Sequence, residues 1–148
     1  MQQKEVVREF ADEMWRTCLG TRVGRLHRAV GRRFDGALRP LGLTMPQMEI
    51  LASLVPQDAP VRPSELAEVL MAERSTVSRN LAALGERGWV EAAEISPTGR
   101  SMAFAATPEG ERVFASARTA WAEAQASVMR SLGPEAPATI DAWLGELV

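Results

Sequence analysis

Apolar residues recur at steps of three and four along the first forty positions: Trp15, Leu19, Val23, Leu26, Val30, Phe34 and Ala37. That spacing gathers them on one helical face, and Pro40 and Gly42 end the segment. A stripe this long needs a partner surface to cover it. The next stretch, GLTMPQMEILASL, predicts a second helix. Thr44 stands as its cap, Gln47 as the third-position partner of a capping box, and Met48, Leu51 and Leu54 or Val55 face inward. QDAPVRP reads as turn around Val61, and SELAEVLMA as a short helix with Leu66, Val69 and Leu70 inward and Ser64 as its cap.

The stretch AERSTVSRNLAALGERGWVE follows with almost no linker. Val77, Leu81 and Leu84 keep helical spacing for burial, and Gly88 is placed to close the helix in the left-handed conformation, bringing Trp89 against Leu84. WVEAAEI and SMAFAA are short strand-like runs separated by SPTGR, whose Pro97 and Gly99 are turn formers, so the pair reads as a hairpin. Thr107 and Pro108 open a further helix bearing Val113, Phe114, Ala117, Trp121 and Ala124 or Gln125. GPEAP then breaks the chain before a last helix carrying Ile140, Trp143, Leu144 and Leu147.

One helix in this series has an unusual outer face. Its opening turns carry Arg74, Ser75, Thr76, Ser78, Arg79 and Asn80. A solvated polar face is common, so composition alone does not decide for nucleic-acid binding. Position changes the balance, because two helices joined tightly and followed by a hairpin form a winged helix-turn-helix, whose second helix enters the DNA major groove. Hydroxyls and guanidinium groups near that helix's start reach phosphates and base edges, and its free N–H groups favour anions.

Composition sets limits on this reading. The chain has 148 residues and a net charge of −2, so it lacks the globally basic balance of many nucleic-acid binders. Glu73, Glu86, Glu91 and Glu94 lie close in sequence to Arg74, Arg79, Arg87 and Arg100 on the expected DNA side, which predicts modest nonspecific affinity. A denser basic run, Arg16, Arg22, Arg25, Arg28, Arg32, Arg33 and Arg39, stands against Asp35 alone and reads first as the solvated face of a long helix, with Arg28 and Arg32 within reach of flanking phosphates. With one His, one Cys and no Tyr, and no phosphate-cradling glycine loop, the chain offers no catalytic set, so an enzyme is disfavoured and no cofactor or metal is expected. No apolar run reaches membrane-spanning length, and the N-terminus lacks a signal-peptide core, so the expected location is cytoplasmic.

Taken in order, GLTMPQMEILASL, SELAEVL, ERSTVSRNLAALGERGWVE and TPEGERVF resemble the successive signatures of the MarR family of bacterial transcriptional regulators. The resemblance implies a mainly α fold with a small β-hairpin wing, a winged helix-turn-helix lobe over 43–106, and helices of 1–40 and 107–148 entwined in a homodimer. It implies a regulator that binds double-stranded DNA, acting as a repressor on a pseudo-palindromic operator and released by a small ligand or an oxidant. Ser64, Arg74, Ser75, Thr76, Ser78, Arg79 and Asn80 are the expected DNA-reading residues, with Arg100 of the wing in the flanking minor groove. The family's wing Asp, two positions before that Arg, is Thr98 here, which removes the carboxylate that would hold Arg100.

Other residues bear on what the protein senses. Cys18 falls where hydroperoxide-sensing relatives keep a reactive thiol, but its spacing to Thr44 and the absence of Tyr partners favour an inert thiol. His27 reads as a surface histidine. Trp15, with Met14, Met45 and Met48, forms a candidate wall for a small aromatic effector, though core or dimer packing is the default for such residues. A winged-helix scaffold that binds a protein partner, and a cysteine-based redox regulator, are the competing functions.

Overall fold

The computed structural model describes residues 2–94 and 102–148. They fall into two compact units, 1–33 and 34–148.

In the first unit, α1 (Gln2–Thr17) is followed by α2 (Leu19–Leu38), which continues into the second. The single helix expected over the first forty residues is therefore interrupted at Cys18. Main-chain hydrogen bonds of helical spacing still span the junction, from Cys18 N–H to the Met14 carbonyl at 3.0 Å and from Arg22 N–H to the Cys18 carbonyl at 3.2 Å. The apolar stripe is open to solvent within this unit, with Trp15 59%, Leu19 72% and Val23 60% exposed, so the demand for a covering surface stands.

The second unit holds the core. A 3-10 turn (Arg39–Leu41) leads to α3 (Met45–Leu54), α4 (Pro63–Val69) and α5 (Arg74–Glu86). Next come β1 (Val90–Glu94) and β2 (Met102–Ala106), then α6 (Pro108–Ser116), α7 (Arg118–Leu132) and α8 (Ala136–Leu147). Leu38, Leu43, Ile50, Leu51, Leu66, Val77, Leu81 and Leu84 are the largest fully buried side chains, and they fasten α3, α4 and α5 into one lobe. At the start of α3 the Gln47 side chain accepts from Thr44 N–H at 3.2 Å, as the capping box requires, while the Thr44 hydroxyl makes no cap bond. Asp35, whose carboxylate accepts from Met45 N–H at 2.7 Å, supplies the missing cap from α2.

Two turns differ from the sequence expectation. Ser64 is not the cap of α4: Arg62 occupies that position ahead of Pro63, and Glu65 accepts from Arg62 N–H at 2.8 Å, which leaves Ser64 inside the first turn. Between α4 and α5 the Ala72 N–H closes on the Ala67 carbonyl, and Met71 adopts φ 49°, a left-handed position that a glycine usually fills.

β1 and β2 pair antiparallel from Val90 opposite Ala106 to Glu94 opposite Met102. Val61, expected in a turn, adds a third short segment by exchanging two 2.8 Å hydrogen bonds with Phe104. The SPTGR turn lies outside the described residues.

The join from hairpin to α6 explains TPEG. The Thr107 hydroxyl accepts from Gly110 N–H at 3.1 Å and donates to the Gly88 carbonyl at 2.6 Å, while Thr107 N–H donates to the Trp89 carbonyl. Gly88 takes φ 71° to end α5, and Trp89 N–H returns to the Leu84 carbonyl, as its left-handed closure predicts. The helix expected from Thr107 to Gly133 bends instead at the fully buried Ala117. In α8, Trp143 and Leu147 are 60% and 84% exposed.

Candidate nucleic-acid interface

α5 presents two opposed faces. Val77, Leu81 and Leu84 are at most 1% exposed and lock the helix into the lobe. Arg74, Ser75, Ser78 and Arg79 are exposed on the other side, with Thr76 and Asn80 half-buried at its edge. Arg79 donates to the Thr76 hydroxyl at 3.2 Å, so these two share a face, and the guanidinium is held at the helix surface. Asn80 donates to the Thr76 carbonyl at 2.9 Å, one turn back on its own helix. This bond occupies one of the two Nδ2–H donors and leaves the other, with the Oδ1 acceptor, for a base edge.

The helix starts without a side-chain cap: Glu73 is the N-cap residue and its side chain makes no cap hydrogen bond. Thr76 N–H donates to the Glu73 carbonyl at 3.0 Å, so the amides of Arg74 and Ser75 are the first-turn donors left for a phosphate. Ser64 of α4 lines the same shallow cleft as Arg74 and Ser75, so the structure brings these three together. Glu68 and Glu73 line it too, and their negative charge weakens indiscriminate attraction to a phosphate backbone.

Arg87 is not part of this face. Its guanidinium stacks on the Trp89 ring at 3.6 Å from the centroid and donates to the Gly42 carbonyl. As the C-cap residue it lies ~20 Å along the axis from Arg74, at the wrong end of α5 for the first-turn site. Arg87 thus ties the end of α5 to the turn after α2 and to the hairpin, a role that only the three-dimensional approach of Gly42 reveals. Arg100 and Thr98 lie outside the described residues.

The sensing residues are distributed unevenly. Met14 and Trp15 are exposed on the first unit; in the second, Met45 is half-buried and Met48 is buried in the lobe core. His27 is exposed. Cys18 is half-buried at the α1/α2 junction. Hydrogen bonds from the Thr21 side chain and then the Thr21 backbone, with smaller help from Gly20 N–H and the Arg22 charge, hold its thiol below the ordinary value against an opposing desolvation. A hydroxyl partner is therefore present without any Tyr. The lowered pKa raises the thiolate fraction near neutral pH, so alkylation of Cys18 by iodoacetamide should reach half its maximal rate at a lower pH than an unstructured cysteine peptide does. A midpoint equal to or above the peptide's would show that Thr21 does not stabilise the thiolate.

A two-faced helix set after a short helix and before a hairpin defines a winged helix-turn-helix lobe, and known proteins share it. The transcriptional regulator MosR of Mycobacterium tuberculosis, solved in complex with DNA, is 32% identical with a TM-score of 0.75, covering 88% of this chain and 96% of that one. The chain belongs to the MarR family of winged helix-turn-helix transcriptional regulators. The family described as HVO_A0261 N-terminal domain matches residues 41–128. The repressor CouR bound to a 23-mer DNA duplex is 24% identical with a TM-score of 0.74, covering 91% of this chain and 94% of that one. CouR of Rhodococcus jostii bound to p-coumaroyl-CoA gives 22%, 0.72, and coverage of 87% and 90%. These two likenesses speak for the fold. No curated protein sequence matches the chain. Among the described residues no helix is long and apolar enough to cross a membrane.

Proposed function

We propose that this MarR-family protein is a repressor that binds a pseudo-palindromic operator as a homodimer, one α5 in each of two successive major grooves. The observation that carries the reading is the opposition on α5: Arg74, Ser75, Ser78 and Arg79 point outward while Val77, Leu81 and Leu84 anchor the helix. Ser64, Arg74 and Ser75, with the first-turn amides, hold a phosphate; Arg79, beside Thr76, reads a base edge; Ser78 and Asn80 border the contact. Arg100 enters the flanking minor groove without the carboxylate that position 98 would have supplied.

The dimer would use the helices of 1–40 and 107–148. Support comes from apolar side chains left in water: Val6, Val7 and Phe10 on α1, Leu19 and Val23 on α2, and Trp143 and Leu147 on α8. A two-fold pair also doubles the DNA contacts, which offsets the weak net charge of each chain. The exposed Met14 and Trp15 favour a small aromatic effector, and CouR, a repressor of this fold, is found with p-coumaroyl-CoA as well as with DNA.

The test is a fluorescence-anisotropy titration of the protein with duplex from its own upstream intergenic region and with a scrambled duplex of equal composition. The upstream duplex should bind on the order of 10³-fold more tightly, with two chains per duplex. Equal affinity for both duplexes would refute operator recognition and turn attention to a protein partner.

A further inference from the structure

Arg25, Arg28 and Arg32 stand at steps of three and four along α2, with Arg22 one turn earlier, and all four are exposed. With Leu26 and Ala29 they line one cleft on the surface of the first unit. Arg22 is tied down by donating to the Arg16 carbonyl. Among the described residues no carboxylate pairs with Arg25, Arg28 or Arg32, and the one acid within α2, Asp35, is already engaged with Met45 N–H. Like charges at these spacings repel one another, so the row costs the helix stability when nothing neutral or negative lies against it.

The position of the row matters as much as its charge. At 100° per residue, Arg25, Arg28 and Arg32 project from the side of α2 opposite Val23, the centre of the exposed apolar stripe. A surface covering Leu19 and Val23 would therefore leave the arginines open. The groove lies between side chains of α2 itself, and in it three guanidinium groups without a carboxylate partner border the aliphatic surface of Leu26 and Ala29.

We propose that this cleft binds a phosphorylated organic anion with at least two phosphate groups, of the nucleoside-diphosphate class. Guanidinium forks grip phosphate oxygens in pairs. Arg28 and Arg32 stand one turn, ~6 Å, apart along the axis, so their guanidinium groups can converge on the adjacent phosphates of a diphosphate. Leu26 and Ala29 supply contact for the organic part. A DNA backbone is the rival occupant, but it presents phosphate and sugar without a part that needs that aliphatic border. The site does not depend on the reading of α5, because it can be measured without DNA.

The experiment is isothermal titration calorimetry of the full chain with ADP, with orthophosphate at matched ionic strength as the comparison. ADP should saturate one site per chain and raise the melting temperature, and orthophosphate should bind about 100-fold more weakly. Arg28→Gln/Arg32→Gln, chosen because Gln keeps helix propensity, should weaken ADP about tenfold or more with the circular dichroism spectrum intact. Arg8→Gln, on α1, should leave ADP affinity unchanged. Failure of wild type to bind ADP, or ADP affinity in the double variant within about twofold of wild type, would overturn the proposal. If that variant instead loses duplex affinity and salt dependence while ADP is unaffected, the row belongs to DNA. Should the double variant unfold, Arg25→Gln carries the same expectation.

Discussion

Gly110→Ala should destabilise the protein by about 3 kcal/mol, seen as a fall of about 10 °C in melting temperature. The cause is steric. Gly110 is buried in the first turn of α6, and a Cβ built there would overlap the Trp89 carbonyl oxygen. That oxygen cannot move freely, since it accepts from Thr107 N–H, and the neighbouring Gly88 carbonyl accepts from the Thr107 hydroxyl. Relief requires either α6 or the strand entry to shift, and both are fixed by Trp89, which is 6% exposed, and by Ala117 in the core. Gly88→Ala provides the contrast. Nothing lies within 4 Å of a Cβ at Gly88, so only its φ of 71° is penalised, at about 1 kcal/mol. Thermal melts followed by circular dichroism should rank the two variants in that order. Equal melting temperatures would mean that the α6 contact on Trp89 is looser than the structure has it.

The residues that made the lobe legible in the sequence are those whose role is local. Val77, Leu81 and Leu84 declare the buried face of α5 by spacing, and Gly88 declares its end by needing the left-handed conformation. Thr107 and Pro108 likewise announce the start of α6, which the Thr107 cap then shows. What the sequence hid depends on contacts made across long separations. Asp35 caps α3 from α2, Val61 joins the hairpin through Phe104, and Arg87 leaves the DNA face for Trp89 and Gly42. No periodicity marks a residue whose partner is brought near only by the fold. Two departures were local but ambiguous: Arg62 displaced Ser64 as a cap because Pro63 prefers the first helical position, and Met71 took a turn conformation that its side chain does not advertise.

For the DNA-reading face the most legible residue is also the most exposed to refutation. Arg79 is one helical turn beyond Ser75, exposed, and held beside Thr76 by a 3.2 Å hydrogen bond, whereas Arg74 stands at the first turn, where its own amide and that of Ser75 lack a helical partner. These settings assign different jobs. A base contact discriminates between sequences and costs about 1 to 3 kcal/mol when lost, while a phosphate contact weakens all sequences alike and lowers the salt slope by about one. Arg79→Ala should therefore cut affinity for the upstream operator about tenfold or more, bring the scrambled duplex closer to it, and leave the salt slope near that of wild type. Arg74→Ala should weaken both duplexes by a similar factor and flatten the slope.

The decisive measurement is the affinity of wild type, Arg79→Ala and Arg74→Ala for operator and scrambled duplex across a salt series, with circular dichroism showing all three folded. Arg79→Ala should lose discrimination, and Arg74→Ala should show uniform, salt-linked weakening. Wild-type affinity and discrimination in both folded variants would contradict this, and would place DNA recognition somewhere other than the outer face of α5.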